Sequence, residues 1–198
     1  MLILIGYRAT GKTTLARLLG ERLQLRAVDT DPLIEQKAGR TIVDIFAEQG
    51  EATFRDYESQ VIAELLQSGE SLVIATGGGL PLRPTNRELL KRAVLQRAGE
   101  EGALRPATKG ATLRPATVVW LKASPETILR RMAGDPATER MRLQLTNLPP
   151  FDEIVSVLRA REEIYREIAD LEIDTDNASL PELADRIAMW FQGRAVTP

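Results

Sequence analysis

The chain contains no cysteine, so disulfides and thiolate metal sites are excluded. It contains no histidine either, which removes the commonest general base and the commonest zinc ligand. Any acid–base chemistry therefore falls to carboxylates, lysine or bound water. Neither sign of charge prevails. The 26 basic and 28 acidic residues leave a net charge of −2, which gives no reason to expect nucleic acid as a partner. Long apolar runs are also missing, and none approaches the length needed to span a membrane. Met1 leads straight into "LILI", too short for a signal-peptide core and not preceded by a basic stretch. A cytoplasmic protein without a membrane partner is the expectation.

The 198 residues suit a single domain, 1–198, large enough to bury roughly 70% of its unfolded surface. Most of the basic residues are arginines. They fit a solvated surface, or recognition of carboxylate and phosphate by planar guanidinium groups, and composition does not choose between these. Short apolar runs alternate with helical patterns along the chain. Strands are predicted at 2–5, 26–29, 71–79, 116–123 and 171–175. Helices are predicted at 12–24, at 32–68 with breaks near Gly39 and Gly50, and at 125–133, 151–169 and 180–192. Five short strands separated by helices predict a five-stranded parallel sheet covered on both faces, a three-layer α/β fold. No long apolar stripe is left over for a dimer face, so a monomer is expected.

Two segments break the rhythm. Residues 134–150 are polar with three prolines and are expected to form a mobile lid. An insertion at about 96–116 carries a short duplication, "LRPAT" at 104–108 and again at 113–117. Two copies are too few for a solenoid.

Gly6 to Thr13 match G-x-x-x-x-G-K-S/T, the phosphate-binding loop, with a strand before it and a helix after it. Its backbone N–H groups cradle phosphate oxygens, and the next helix presents its positive end to the same anion. Lys12 reaches the β and γ phosphates, while the Thr13 hydroxyl can ligate magnesium. The motif names the nucleotide but not the acceptor. Asp29 and Asp31 in "VDTD" stand at a strand end; one could organise magnesium while the other takes a hydroxyl proton. Read alone, Asp31 is equally an N-cap before Pro32. The glycines of "ATGGG" allow backbone N–H groups to approach a substrate, or simply make a tight strand exit. Arg55, taken singly, reads as a solvated surface charge.

Taken together, "GYRATGKTT", "DTDPLIEQKAGRTIVDIFAEQGEATFRDYE", "VIATGGG" and "AREEIY" resemble the shikimate kinases, from Ile3 to about Arg186. The resemblance implies a nucleoside-monophosphate-kinase-like fold and transfer of the ATP γ-phosphate to the 3-hydroxyl of shikimate with Mg2+. It implies ATP contacts from Gly6, Ala9, Thr10, Gly11, Lys12, Thr13 and Thr14, with Arg131 a stacking partner for adenine. Arg55 and Arg161 take the shikimate carboxylate in this resemblance, and Asp31 with Gly78 and Gly79 take its hydroxyls. Asp29 organises the magnesium that Thr13 ligates. The lid arginine corresponds to Arg142 in "RLQL", where Leu143 replaces the expected proline and Arg140 stands two residues away. Catalysis would rest on Asp31, Lys12 and Arg142. Two other classes share parts of this pattern: another small-metabolite kinase, such as one for gluconate, and a non-catalytic nucleotide-dependent binding module.

Overall fold

The computed structural model describes residues 1–97, 115–134 and 146–195. The lid arginines Arg140 and Arg142 lie outside them, as do most of the expected lid and insertion. Five strands, β1 (Leu2–Ile5), β2 (Arg26–Asp29), β3 (Leu72–Ala75), β4 (Thr117–Lys122) and β5 (Leu171–Asp174), form one parallel sheet in the order β2-β3-β1-β4-β5.

Alternation along the strands divides the interior in two, because successive side chains leave a strand on opposite faces. Ile3 and Ile5 of β1 pack with Ile74 and Val118 on one face, beneath α3 (Ile42–Gln67), α4 (Pro84–Arg97) and α6 (Pro150–Ile168). Leu2 and Leu4 pack with Val73 and Val119 on the other, against α1 (Lys12–Leu23) and α7 (Leu180–Ala195). Both faces of the central strands are buried, which explains why they read as continuous apolar runs. A smaller cluster of Tyr7, Ile128 and Ile154 seats α5 (Pro125–Ala133) and α6 beside the end of β1. Among the described residues no helix is long and apolar enough to cross a membrane.

The breaks at the two glycines are present. Gly39 caps the end of α2 (Thr30–Ala38) at φ 67°, and Gly50 kinks α3 at φ 82°, ψ 170°. One local expectation is corrected. Asp31 is not the N-cap of α2: the Asp29 side chain accepts the Asp31 N–H at 3.1 Å, so the helix begins at Thr30 and the Asp31 carboxylate is left for another use. The structure also adds α4, which the hydrophobic pattern does not announce. Its buried face is narrow, with Asn86, Leu90 and Ala93 turned inward.

β1 lies between β3 and β4, and the chain passes from β3 through α4 to β4, crossing over β1. Open parallel sheets bind ligands beyond the carboxyl ends of their strands where the winding changes direction. The Gly6 loop follows β1, Asp29 ends β2 and the Gly77–Gly79 run comes just after β3 at that edge.

Candidate active site

The loop after β1 is folded for close approach. Gly6 has φ 140°, and a Cβ there would fall 2.4 Å from the Leu121 carbonyl oxygen. Ala9 adopts a left-handed φ of 59°, where glycine would be easier. The Thr10 hydroxyl donates to the Tyr7 carbonyl at 2.8 Å, fixing the bend. α1 then starts at Lys12, with no acidic residue in its first turn to compete for its positive end. Lys12 Nζ is buried and donates to the Gly6 and Tyr7 carbonyls at 3.0 and 2.7 Å. Burial lowers its pKa to about 8, against the opposing pull of Asp31 and Asp29. Thr14 follows in the same turn, half-buried.

Thr13 and Asp29 meet across the loop, the hydroxyl donating to Oδ2 at 2.6 Å. Both are hard oxygen donors. Among the described residues no three carboxylates gather to hold a metal by themselves. The pair therefore suits an ion that takes one or two protein oxygens and completes its shell with phosphate and water, as Mg2+ does. Arg131 on α5 donates to the Ala9 carbonyl at 3.3 Å and to the Thr175 carbonyl at 2.6 Å, so it ties the phosphate loop to the β5–α7 connection.

Beside the loop opens a cleft of about 610 Å³, counting its part open to solvent, lined by Asp31, Arg55, Glu58, Gly77, Gly78, Gly79 and Arg161 among others. The sequence expectation for a lone Arg55, a solvated surface charge, does not hold. Its residue exposure is 8%, and its guanidinium donates to Glu58 Oε2 at 2.9 Å and to Glu51 Oε1 at 2.9 Å. Arg161 is equally buried; it donates to the Gly78 carbonyl at 3.1 Å and lies over the Tyr7 ring at 5.8 Å. Asp31 Oδ1 and Glu58 Oε1 are buried with no hydrogen-bond partner among the described residues. Both face one point: a Cβ on Gly77 would lie 3.3 Å from the first and 2.7 Å from the second. Two unsatisfied carboxylate oxygens in one wall are costly, and hydroxyl donors from a ligand would satisfy them.

The glycines have separate uses. Gly78 packs on the phosphate loop, its would-be Cβ 3.1 Å from the Gly6 carbonyl oxygen. At Gly79 a Cβ would fall 2.2 to 2.5 Å from the Arg55 guanidinium. Arg55 could swing aside at little cost in stability, because its charged end is the flexible part, but it would then leave the cleft wall. Gly79→Ala is therefore expected to keep the melting temperature and to lose affinity for an anionic acceptor by tenfold or more, about 1.4 kcal/mol. Unchanged acceptor KM in that variant would show that Arg55 needs no such flat neighbour.

The two carboxyls also predict a pH dependence. Burial, aided by the neighbouring Asp29, pushes Asp31 up to about 6 from 3.8. Burial pushes Glu58 up to about 7 from 4.5, against the pull of Arg55. The folded chain thus holds more protons than the unfolded chain across this window, so the groups' contribution is present at low pH and lost as pH rises through 6 to 7. The ligand-free melting temperature should fall between about pH 5 and about pH 7.5, and fall less in Asp31→Asn. Parallel curves for the two proteins would contradict this.

A protein-family model described as shikimate kinase matches residues 8–192. The chain belongs to the shikimate kinase family. A shikimate kinase from Rhodopirellula baltica is 38% identical over 94% of this chain and 87% of its own length. One from Symbiobacterium thermophilum is 37% identical over 98% of this chain and 97% of its own. Among solved structures, a shikimate kinase from Acinetobacter baumannii in complex with shikimate superposes with a TM-score of 0.78 at 32% identity, covering 99% of this chain and 94% of the other.

Of the residues that the resemblance to shikimate kinases singled out, Asp31, Arg55, Gly78, Gly79 and Arg161 line one cleft, with Lys12 close enough to Asp31 to shift its titration. Gly6, Ala9, Thr10, Gly11, Thr13 and Thr14 form the loop and the first turn beside it, Asp29 reaches that turn, and Arg131 reaches Ala9. Sequence reasoning missed Glu58. Its signal was a position three residues after Arg55 within a helix whose neighbours Val61 and Ile62 are buried, an acid placed on an inward face.

Proposed function

We propose that the chain uses ATP to phosphorylate the 3-hydroxyl of shikimate, giving shikimate 3-phosphate and ADP. The observation that carries this is the cleft wall, where two carboxylate oxygens without a partner among the described residues share one cleft with two buried arginines, beside a phosphate-binding loop. A small acid bearing several hydroxyls matches that wall: its carboxylate takes the guanidinium groups of Arg55 and Arg161, and its hydroxyls donate to Asp31 and Glu58. The N–H groups of Gly78 and Gly79 are further donors to it.

In the transfer, the acceptor oxygen bonds to the γ-phosphorus as the bond from that phosphorus to the β–γ bridging oxygen breaks, and ADP leaves with the electron pair. The hydroxyl proton goes to Asp31, which its buried setting makes more basic than an ordinary aspartate. Lys12, released from the Gly6 and Tyr7 carbonyls, neutralises the phosphates. Thr13 and Asp29 would hold magnesium, which would supply charge neutralisation at the phosphate oxygens. Arg142 is assigned, from the resemblance, to the transferring phosphoryl group.

A coupled assay of ADP release tests the proposal with shikimate, gluconate, a nucleoside monophosphate and no acceptor in parallel. Turnover is expected with shikimate alone. Faster turnover with gluconate or a nucleotide would overturn the acceptor, and nucleotide binding without phosphorylation of any acceptor would overturn the enzyme.

A further inference from the structure

One buried hydroxyl at the edge of the cleft has no part in the scheme above. Tyr165, on α6 one turn beyond Arg161, is wholly buried, and its ring lies 5.6 Å from that of Trp120. Its hydroxyl donates to the Gly78 carbonyl at 2.5 Å, the same oxygen that receives Arg161 at 3.1 Å. Burial raises the phenol's pKa, so the group stays a donor. A buried tyrosine hydroxyl needs a partner wherever it is, and that alone would not mark a role. The choice of partner does.

No peptide bond is cis among the described residues, and across a trans peptide the carbonyl and the following N–H point in opposite directions. Holding the Gly78 oxygen against α6 therefore turns the Gly79 N–H away from Tyr165, and Gly78 and Gly79 both line the cleft. That N–H has no hydrogen-bond partner among the described residues. Glycine offers little resistance to peptide rotation, so the plane must be fixed from outside. Arg161 gives this oxygen one donor at 3.1 Å, and the tyrosine at 2.5 Å is the nearer of its two holders.

We propose that Tyr165 is a positioning residue for the acceptor site, holding the Gly78–Gly79 peptide, together with Arg161, with its N–H toward the acceptor. This rests on the shikimate phosphorylation proposed above. The hydroxyl touches neither nucleotide nor reacting atoms, so its loss falls on acceptor affinity.

Tyr165→Phe keeps the ring and leaves the Gly78 oxygen bonded to Arg161. Its KM for shikimate is expected to rise about tenfold, with kcat and the KM for ATP within about twofold of wild type. In an Arg161→Ala background the same substitution should cost more, because the Gly78 carbonyl then loses both of its donors. An unchanged shikimate KM, or equal losses in kcat and ATP affinity with a lowered melting temperature, would reduce Tyr165 to a core residue. Wild-type protein in the same assay separates the two proposals, since no turnover there defeats the function and not this role. Should the variant fail to fold, glycine-labelled wild-type protein decides: the Gly79 amide resonance must move on adding shikimate, and one that stays fixed while others in the cleft respond overturns the proposal.

Discussion

Arg55→Ala is expected to raise the KM for shikimate about a hundredfold while the KM for ATP stays within about twofold, because removing one member of a buried, hydrogen-bonded charge contact costs roughly 2–5 kcal/mol. The guanidinium is held by Glu58 and Glu51 and pressed against Gly79, so it is already placed when the acceptor arrives. Its removal strips Glu58 of its counter-charge, and Glu58 answers by holding its proton to higher pH, which limits the damage to the fold. Arg55→Lys separates charge from geometry. A lysine keeps the charge and loses the fork, so a shikimate KM raised by about tenfold is expected. Steady-state kinetics with each substrate varied in turn checks both variants. Unaltered shikimate kinetics in Arg55→Ala would remove this residue from the clamp.

Lys12→Met should lower kcat by about a thousandfold, the scale seen when one preorganised charge-stabilising donor is deleted. The loss should leave folding intact. Lys12 is buried, and its pKa is drawn down to about 8 from 10.5, so the charged form is disfavoured in the ligand-free fold. With a depressed amine pKa, the folded chain holds fewer protons than the unfolded chain between about pH 8 and about pH 10.5, and stability from this group rises with pH there. At neutral pH a methionine escapes the cost of burying charge, so the melting temperature should match or exceed that of wild type. Rapid-quench single-turnover measurement checks the chemistry and calorimetry the fold. Wild-type turnover would contradict the role given to Lys12, and a collapsed melting transition would contradict the account of its burial.

The phosphate loop was legible because its parts are contiguous: strand, glycines, lysine and helix sit in one stretch, and each has a local reason to be there. The sheet was legible because buried parallel strands are apolar on both faces, and β1 and β3 have no exposed residue. Arg55 was ambiguous by itself, since a charged residue next to Phe54 on an amphipathic helix normally faces water. What buries it is the glycine run from β3, more than twenty residues away in sequence. Glu58 and Tyr165 were invisible for the same reason. An acid three residues from an arginine looks like a surface pair, and a tyrosine ending an amphipathic stretch looks like core. Their significance depends on which carbonyl or carboxylate the tertiary fold brings opposite. Helix α4 was missed because it buries too little apolar surface to impose a clear period.

The two-sided interior also bears on how the chain tolerates change at its start. Leu2 and Leu4 belong to one apolar layer, Ile3 and Ile5 to the other, and Gly6 follows without a spacer. Deleting a single residue ahead of Gly6 would exchange which layer each side chain enters if the loop kept its place, or drag the loop along if the layers kept theirs. Length in this strand is thus under tighter constraint than composition: isoleucine and leucine can trade places at modest cost, whereas a shift of one position misplaces the nucleotide pocket.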